Sequence, residues 1–159
     1  MNPLLLHVLH QTTFGAVAAA GFGVLFNVRF RVLPVCALSG ALALFIRTSA
    51  TDGIGFSLVG ASFAAALAVG MAALFTRERA EISQEVVGVV GCIPMVPGAI
   101  AAKAILGLFT FTRGDIASDS RFLVSGMQYS LVVVFTIGAI GTGLAIPTLL
   151  ARVRVPRLT

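Results

Sequence analysis

The sequence predicts an all-α integral membrane protein of about five transmembrane helices, the fourth of them broken between Pro94 and Gly98. Three observations carry the prediction. The composition is 58% hydrophobic and only 11% charged. The apolar residues fall in long runs rather than in alternation, and the charged residues sit almost wholly between those runs. A mean hydropathy of +1.03 exceeds what a water-soluble domain of this size can bury. Hydrocarbon offers no water to backbone N–H and C=O groups, so such runs must be helical or belong to a closed barrel, and unalternating runs point to helices.

Residues 1–159 read as a single transmembrane domain with spans at about 4–26, 32–46, 54–75, 86–111 and 122–150. The first is long enough to cross about 30 Å of hydrocarbon at about 1.5 Å per residue. Its alanines at Ala18, Ala19 and Ala20 imitate a signal-peptide cleavage site. It lacks a basic start and continues to Phe26, so it reads as a retained helix. A tight polar turn at Asn27–Arg31 leads to a short second span with Pro34 in its first turn, where a missing N–H costs least. Arg47–Gly53, ending in Thr51-Asp52-Gly53, reads as a connecting turn. The third span pairs Gly60 with Ala64 and Ala66 with Gly70 at four-residue spacing, which reads as a helix-packing face. The stretch from Arg77 to Glu85 is the most charged and reads as a solvated connection. The fifth span is too long to cross one bilayer straight and unbroken, and Gly138, Gly141, Gly143 and Pro147 are places for it to bend.

A net charge of +5 on a soluble chain would suggest nucleic acid, but these Lys and Arg residues stand singly or in pairs at the ends of apolar runs, so none is expected. Sorted by side of a five-span chain, Arg29, Arg31, Arg77, Arg79, Arg152, Arg154 and Arg157 oppose Arg47, Arg113 and Arg121, seven to three. The positive-inside rule then puts the N-terminus outside the cytoplasm and the C-terminus within it. Cys36 and Cys92 both lie in apolar runs and read as small buried hydrophobes. No metal-ligand spacing, cofactor fingerprint or hydrolase motif occurs, so neither an enzyme nor a resident cofactor is expected.

The polar residues inside the spans direct the functional reading. All six acidic residues, Asp52, Glu78, Glu81, Glu85, Asp115 and Asp119, fall in connecting segments. A cation carrier keeps carboxylates at membrane depth, so their absence favours an anionic substrate. Pro94 and Pro97, followed by Gly98, interrupt the fourth span. A helix restarting here presents the free N–H groups of Gly98, Ala99, Ile100 and Ala101 at the positive end of its dipole, the arrangement that holds substrate in secondary transporters. Lys103 lies one turn further on and either meets a carboxylate inside the bundle or snorkels to the outer headgroups. A bare packing kink is the alternative for the break. His7 and His10 share a face near the end of the first span, read mainly as interfacial anchors and secondarily as a proton or metal pair. Asn27 and Gln128 each suit a cap, an interhelical hydrogen bond or a substrate contact.

Four segments carry a family resemblance: Gly23-Val24-Leu25-Phe26-Asn27-Val28, Cys36-Ala37-Leu38-Ser39-Gly40, Ile93-Pro94-Met95-Val96-Pro97-Gly98, and Gly143-Leu144-Ala145-Ile146-Pro147 with its basic tail. Over nearly its whole length the chain resembles the threonine/serine exporter family, and is more closely similar to the small membrane-only subunits of bacterial two-component succinate exporters. The Pro-Met-x-Pro-Gly element is the most specific part. The resemblance implies a five-helix subunit of the bacterial inner membrane. It also implies a larger partner with a cytoplasmic domain and five helices of its own, and room for a higher oligomer. Succinate is the implied cargo, with threonine and serine exported by relatives that fuse both halves. An odd number of crossings in each half makes them inverted repeats. One departure is Arg29, where the family pattern has proline after Asn-Val. A subunit that only stabilises a transporting partner is the competing reading.

Overall fold

The structure, a computed structural model, describes residues 3–80, 84–113 and 120–154. It is built from α1 (Pro3–Leu25), α2 (Leu33–Thr48), α3 (Leu58–Ala80), α4 (Gln84–Cys92), α5 (Gly98–Arg113) and α6 (Ser120–Arg154). No strand occurs among the described residues. Among the described residues four stretches are long and apolar enough to cross a membrane, or five if the broken pair α4 and α5 forms one span. Expected glutamates Glu78 and Glu81, and Asp115 and Asp119, lie outside the described side chains, as does most of the charged connection; of that stretch, α3 runs on to Ala80.

Contacts divide the chain into two compact units. The first holds residues 3–95 and the end of α6 from Ala139; the second holds Val96–Gly138.

In the first unit, α1 and α2 meet backbone to backbone. The buried positions of α1, Val8, Gly15, Ala19 and Gly23, are spaced by seven, four and four residues, one stripe of a 3.6-residue helix. A Cβ placed on Gly15 would stand 2.7 Å from the carbonyl oxygen of Gly40, and one on Gly40 would collide with the Ala19 Cβ and the Gly15 carbonyl oxygen. Small residues permit the close approach on which helix association in lipid depends. Beyond this seam, Ala43 and Leu44 of α2, Ala65, Ala66 and Val69 of α3, Cys92, Met95 and Ile140 form one core cluster. Both cysteines are free and buried. Ala66 and Gly70 do lie in the packed face of α3, but Gly60 and Ala64 are exposed. Six residues turn a helix by about 240° at 3.6 residues per turn, so the two pairs cannot share a face.

The end of α1 is closed by a Schellman-type cap. Val28 N–H donates to Gly23 O and Asn27 N–H to Val24 O, both at 2.9 Å, with Asn27 at φ 56. Of its three expected roles the structure gives Asn27 the cap. Arg29 has φ −55 and ψ 137, the dihedral pair of a proline, so the departure at this position keeps the turn. Asn27→Gly is expected to leave stability within a few tenths of a kcal/mol, whereas Asn27→Val, forcing a branched side chain to positive φ, should cost about 1–2 kcal/mol. Thermal unfolding of the purified chain in detergent checks both.

Two sequence expectations are corrected. Arg47–Gly53 is not a plain turn: α2 continues through Thr48 and widens into a π-turn over Ser49–Gly53, which keeps Arg47 inside the helix. The last span is one continuous helix of 35 residues with Pro147 inside it. Pro147 is buried, with its Cγ 3.0 Å from where a Gly70 Cβ would be. Packing therefore offsets the one backbone bond the proline removes.

In the second unit, α5 and the first part of α6 approach through another glycine pair. A Cβ on Gly107 would stand 3.1 Å from the Gly126 Cα.

Candidate functional site

Proline chemistry sets the break. α4 ends at Cys92, a 3-10 turn covers Ile93–Met95, and α5 starts at Gly98. Pro94 and Pro97 lack the N–H groups a continuous helix needs at these places. Pro94 is half-buried and Pro97 buried, while Gly98 and Ala99 are exposed. A Cβ on Gly98 would meet nothing within 4 Å.

The free donors are fewer than the sequence suggests. Gly98 N–H is taken by Val96 O at 2.8 Å and Ala101 N–H by Pro97 O at 2.9 Å. The N–H groups of Ala99 and Ile100 are left without a partner among the described residues, and they head the α5 dipole. Lys103, exposed on the same helix, makes no ion pair among the described residues. Pro97, Gly98, Ala99 and Lys103 are thus gathered at the start of α5. Gln128 is exposed on α6. Asn27 closes α1 in the first unit.

The residue that sequence reasoning missed is Arg47. Its Nη1 donates to the Met95 carbonyl at 2.6 Å, tying the end of α2 to the last turn before the break. A guanidinium has five N–H donors, and this is the one bond the described residues give it. No carboxylate pairs with it among the described residues, since Asp52, the nearest acid in sequence, faces His7 at 3.5 Å. A signal for it was present: Cys36, Gly40 and Ala43 lie on the buried stripe of α2, and Arg47 is the next step at four-residue spacing.

His7 faces Asp52 at 3.5 Å, and the His10 ring lies against Phe14, tilted by 42° with ring centroids 4.6 Å apart. No group of metal ligands occurs among the described residues. A separate open groove of about 380 Å³ in the first unit is lined by Gly70, Gly88, Leu144 and Thr148, with Glu85 among its walls.

Comparison with known proteins identifies a family and curated relatives. The family described as Threonine/Serine exporter, ThrE, matches residues 11–150. An uncharacterized protein of Haemophilus influenzae is 33% identical over 147 residues, covering 92% of this chain and 48% of that protein. The chain therefore spans about half the length of the curated relative it matches. No solved structure matches.

Proposed function

Because the chain belongs to the threonine/serine exporter family, we propose that it is one membrane-embedded half of an exporter for a small carboxylate, succinate foremost. Threonine and serine, named in the family description, are the alternative cargo and also carry a carboxylate.

The observation that carries this reading is the restart of α5, where Ala99 and Ile100 N–H groups without a partner among the described residues lie one turn from the Lys103 ammonium. Amide donors at a helix start favour negative charge, and the acidic side chains that the described residues place in the candidate spans, Asp52 and Glu85, stand at the ends of those spans. Pro97, Gly98, Ala99 and Lys103 of the second unit would bind the anion, with Gln128 of the same unit as a further contact. The relative of about twice the length supports a second half, here a larger subunit with a cytoplasmic domain and inverted topology. With Arg47 drawn into the bundle, only Arg113 and Arg121 remain to oppose seven arginines. That asymmetry supports a cytoplasmic C-terminus and an external N-terminus in the bacterial inner membrane.

The test is export of succinate and threonine from cells carrying this chain alone, the larger subunit alone, or both. Export is expected from the pair only. Lys103→Met should lower it about tenfold, equivalent to about 1.4 kcal/mol of binding, at unchanged membrane abundance. Unchanged export would remove Lys103 from the site. A change that tracks the abundance of the larger subunit would instead make this chain a stabilising subunit.

A further inference from the structure

A second polar feature lies in the first unit, which does not include α5. Ser62 of α3 is fully buried, and its hydroxyl has no hydrogen-bond partner among the described residues. Its neighbours in chemistry behave otherwise. Thr12, Thr51, Thr136 and Thr148 each donate to a carbonyl one turn earlier, and Ser39 donates to Cys36 O at 2.8 Å. Leaving a buried hydroxyl unsatisfied costs about 1–3 kcal/mol, so a serine among alanines at this place calls for a compensating role.

Helix register places Ser62 and Arg47 in one layer. α2 and α3 are consecutive helices joined by a short connection, so they run antiparallel. Ala43 and Leu44 share a core cluster with Ala65 and Ala66. One turn toward the C-terminus of α2 is Arg47, and one turn toward the N-terminus of α3 is Ser62. α1 adds to the layer. Its pairings with α2, Ala19 on Gly40 and His7 on Asp52, set Thr12 opposite Arg47 on the stripe between Val8 and Gly15. Met95 O completes the layer through its bond to the guanidinium.

We propose that Arg47 and Ser62 form a carboxylate-binding subsite within the first unit, the guanidinium engaging the carboxylate through donors it does not use on Met95 and the Ser62 hydroxyl donating a further bond. A planar guanidinium matches a carboxylate with two parallel N–H bonds. Arg47 meets no competing acid among the described residues, and a cation inside a span needs a partner or a task. This rests on the exporter reading, which it deepens by adding a recognition point for the carboxylate.

The test uses the complete two-subunit exporter in proteoliposomes, with succinate and threonine as probes. Ser62→Ala is expected to raise KM about tenfold while thermal stability stays level or rises, because an unsatisfied hydroxyl is removed. Arg47→Gln should raise KM by about a hundredfold, with Arg47→Lys in between. Phenylglyoxal modification of Arg47 should be slowed by succinate, a readout independent of transport. An unaltered KM in Ser62→Ala, or Arg47 variants that lose thermal stability at unchanged KM, would overturn the subsite and leave Arg47 as a tie to the broken helix. If neither probe is transported yet succinate protects Arg47, the subsite stands and the exporter reading falls. Transport by the wild type without such protection defeats the subsite alone.

Discussion

Gly40→Val is expected to remove most of the folded protein from the membrane. The added carbons have nowhere to go: the first would collide with the Ala19 Cβ and the Gly15 carbonyl oxygen, and neither can swing aside as the tip of a long side chain does. Relief requires separating α1 from α2 along the seam, with loss of the van der Waals contact that holds helices together where lipid is as apolar as their side chains. Overpacking commonly costs about 1–3 kcal/mol. With rigid helix atoms on the opposing side, about 3 kcal/mol or more is expected here. Gly21→Val is the matched control, because a Cβ at Gly21 meets nothing within 4 Å. Membrane abundance and thermal unfolding in detergent should fall sharply for Gly40→Val and little for Gly21→Val. Equal losses would assign the effect to helix propensity instead of the seam.

The second large effect is on transport. In a Pro94→Ala, Pro97→Ala variant, α4 and α5 are free to join, since each alanine restores an N–H and is favoured over proline inside a helix by about 3 kcal/mol. Joining gives Ala99 N–H the Met95 carbonyl and Ile100 N–H the Val96 carbonyl as helical partners. That consumes the free donors at the restart and competes for the oxygen that Arg47 now holds. Export is expected to fall at least about tenfold with membrane abundance held within about twofold. Retained export in a variant whose cysteine-accessibility pattern shows a continuous helix would separate the break from substrate handling.

Much of the fold was legible because its signals are local. Spans follow from hydrophobic runs, and the break follows from two prolines and a glycine in five residues. Asn27 could be seen as a candidate cap because asparagine tolerates the left-handed region. Arg47 was misread for a local reason too. Thr51-Asp52-Gly53 carries strong turn chemistry, so the charge before it was counted with the loop, whereas the backbone takes one wide π-turn before leaving the helix. The unbroken α6 was missed because glycine and proline permit a bend without requiring one, and burial of Pro147 beside Gly70 depends on a helix far away in sequence. Glycine pairs such as Gly15 with Gly40, and the shared layer of Ser62 and Arg47, are matters of register between helices. One sequence without relatives aligned to it does not carry that information.

The apolar part of α6 runs from Arg121 to Ala151, 31 residues, and only 17% of its most apolar window is buried. At about 1.5 Å per residue that is about 46 Å of greasy rod, against about 30 Å of hydrocarbon. Leaning alone would absorb the surplus only at about 50° from the membrane normal, beyond the usual range of about 0–40°. Some of this helix must therefore lie outside the acyl chains, and on the exporter reading proposed above its uncovered flank is where a partner subunit would seat.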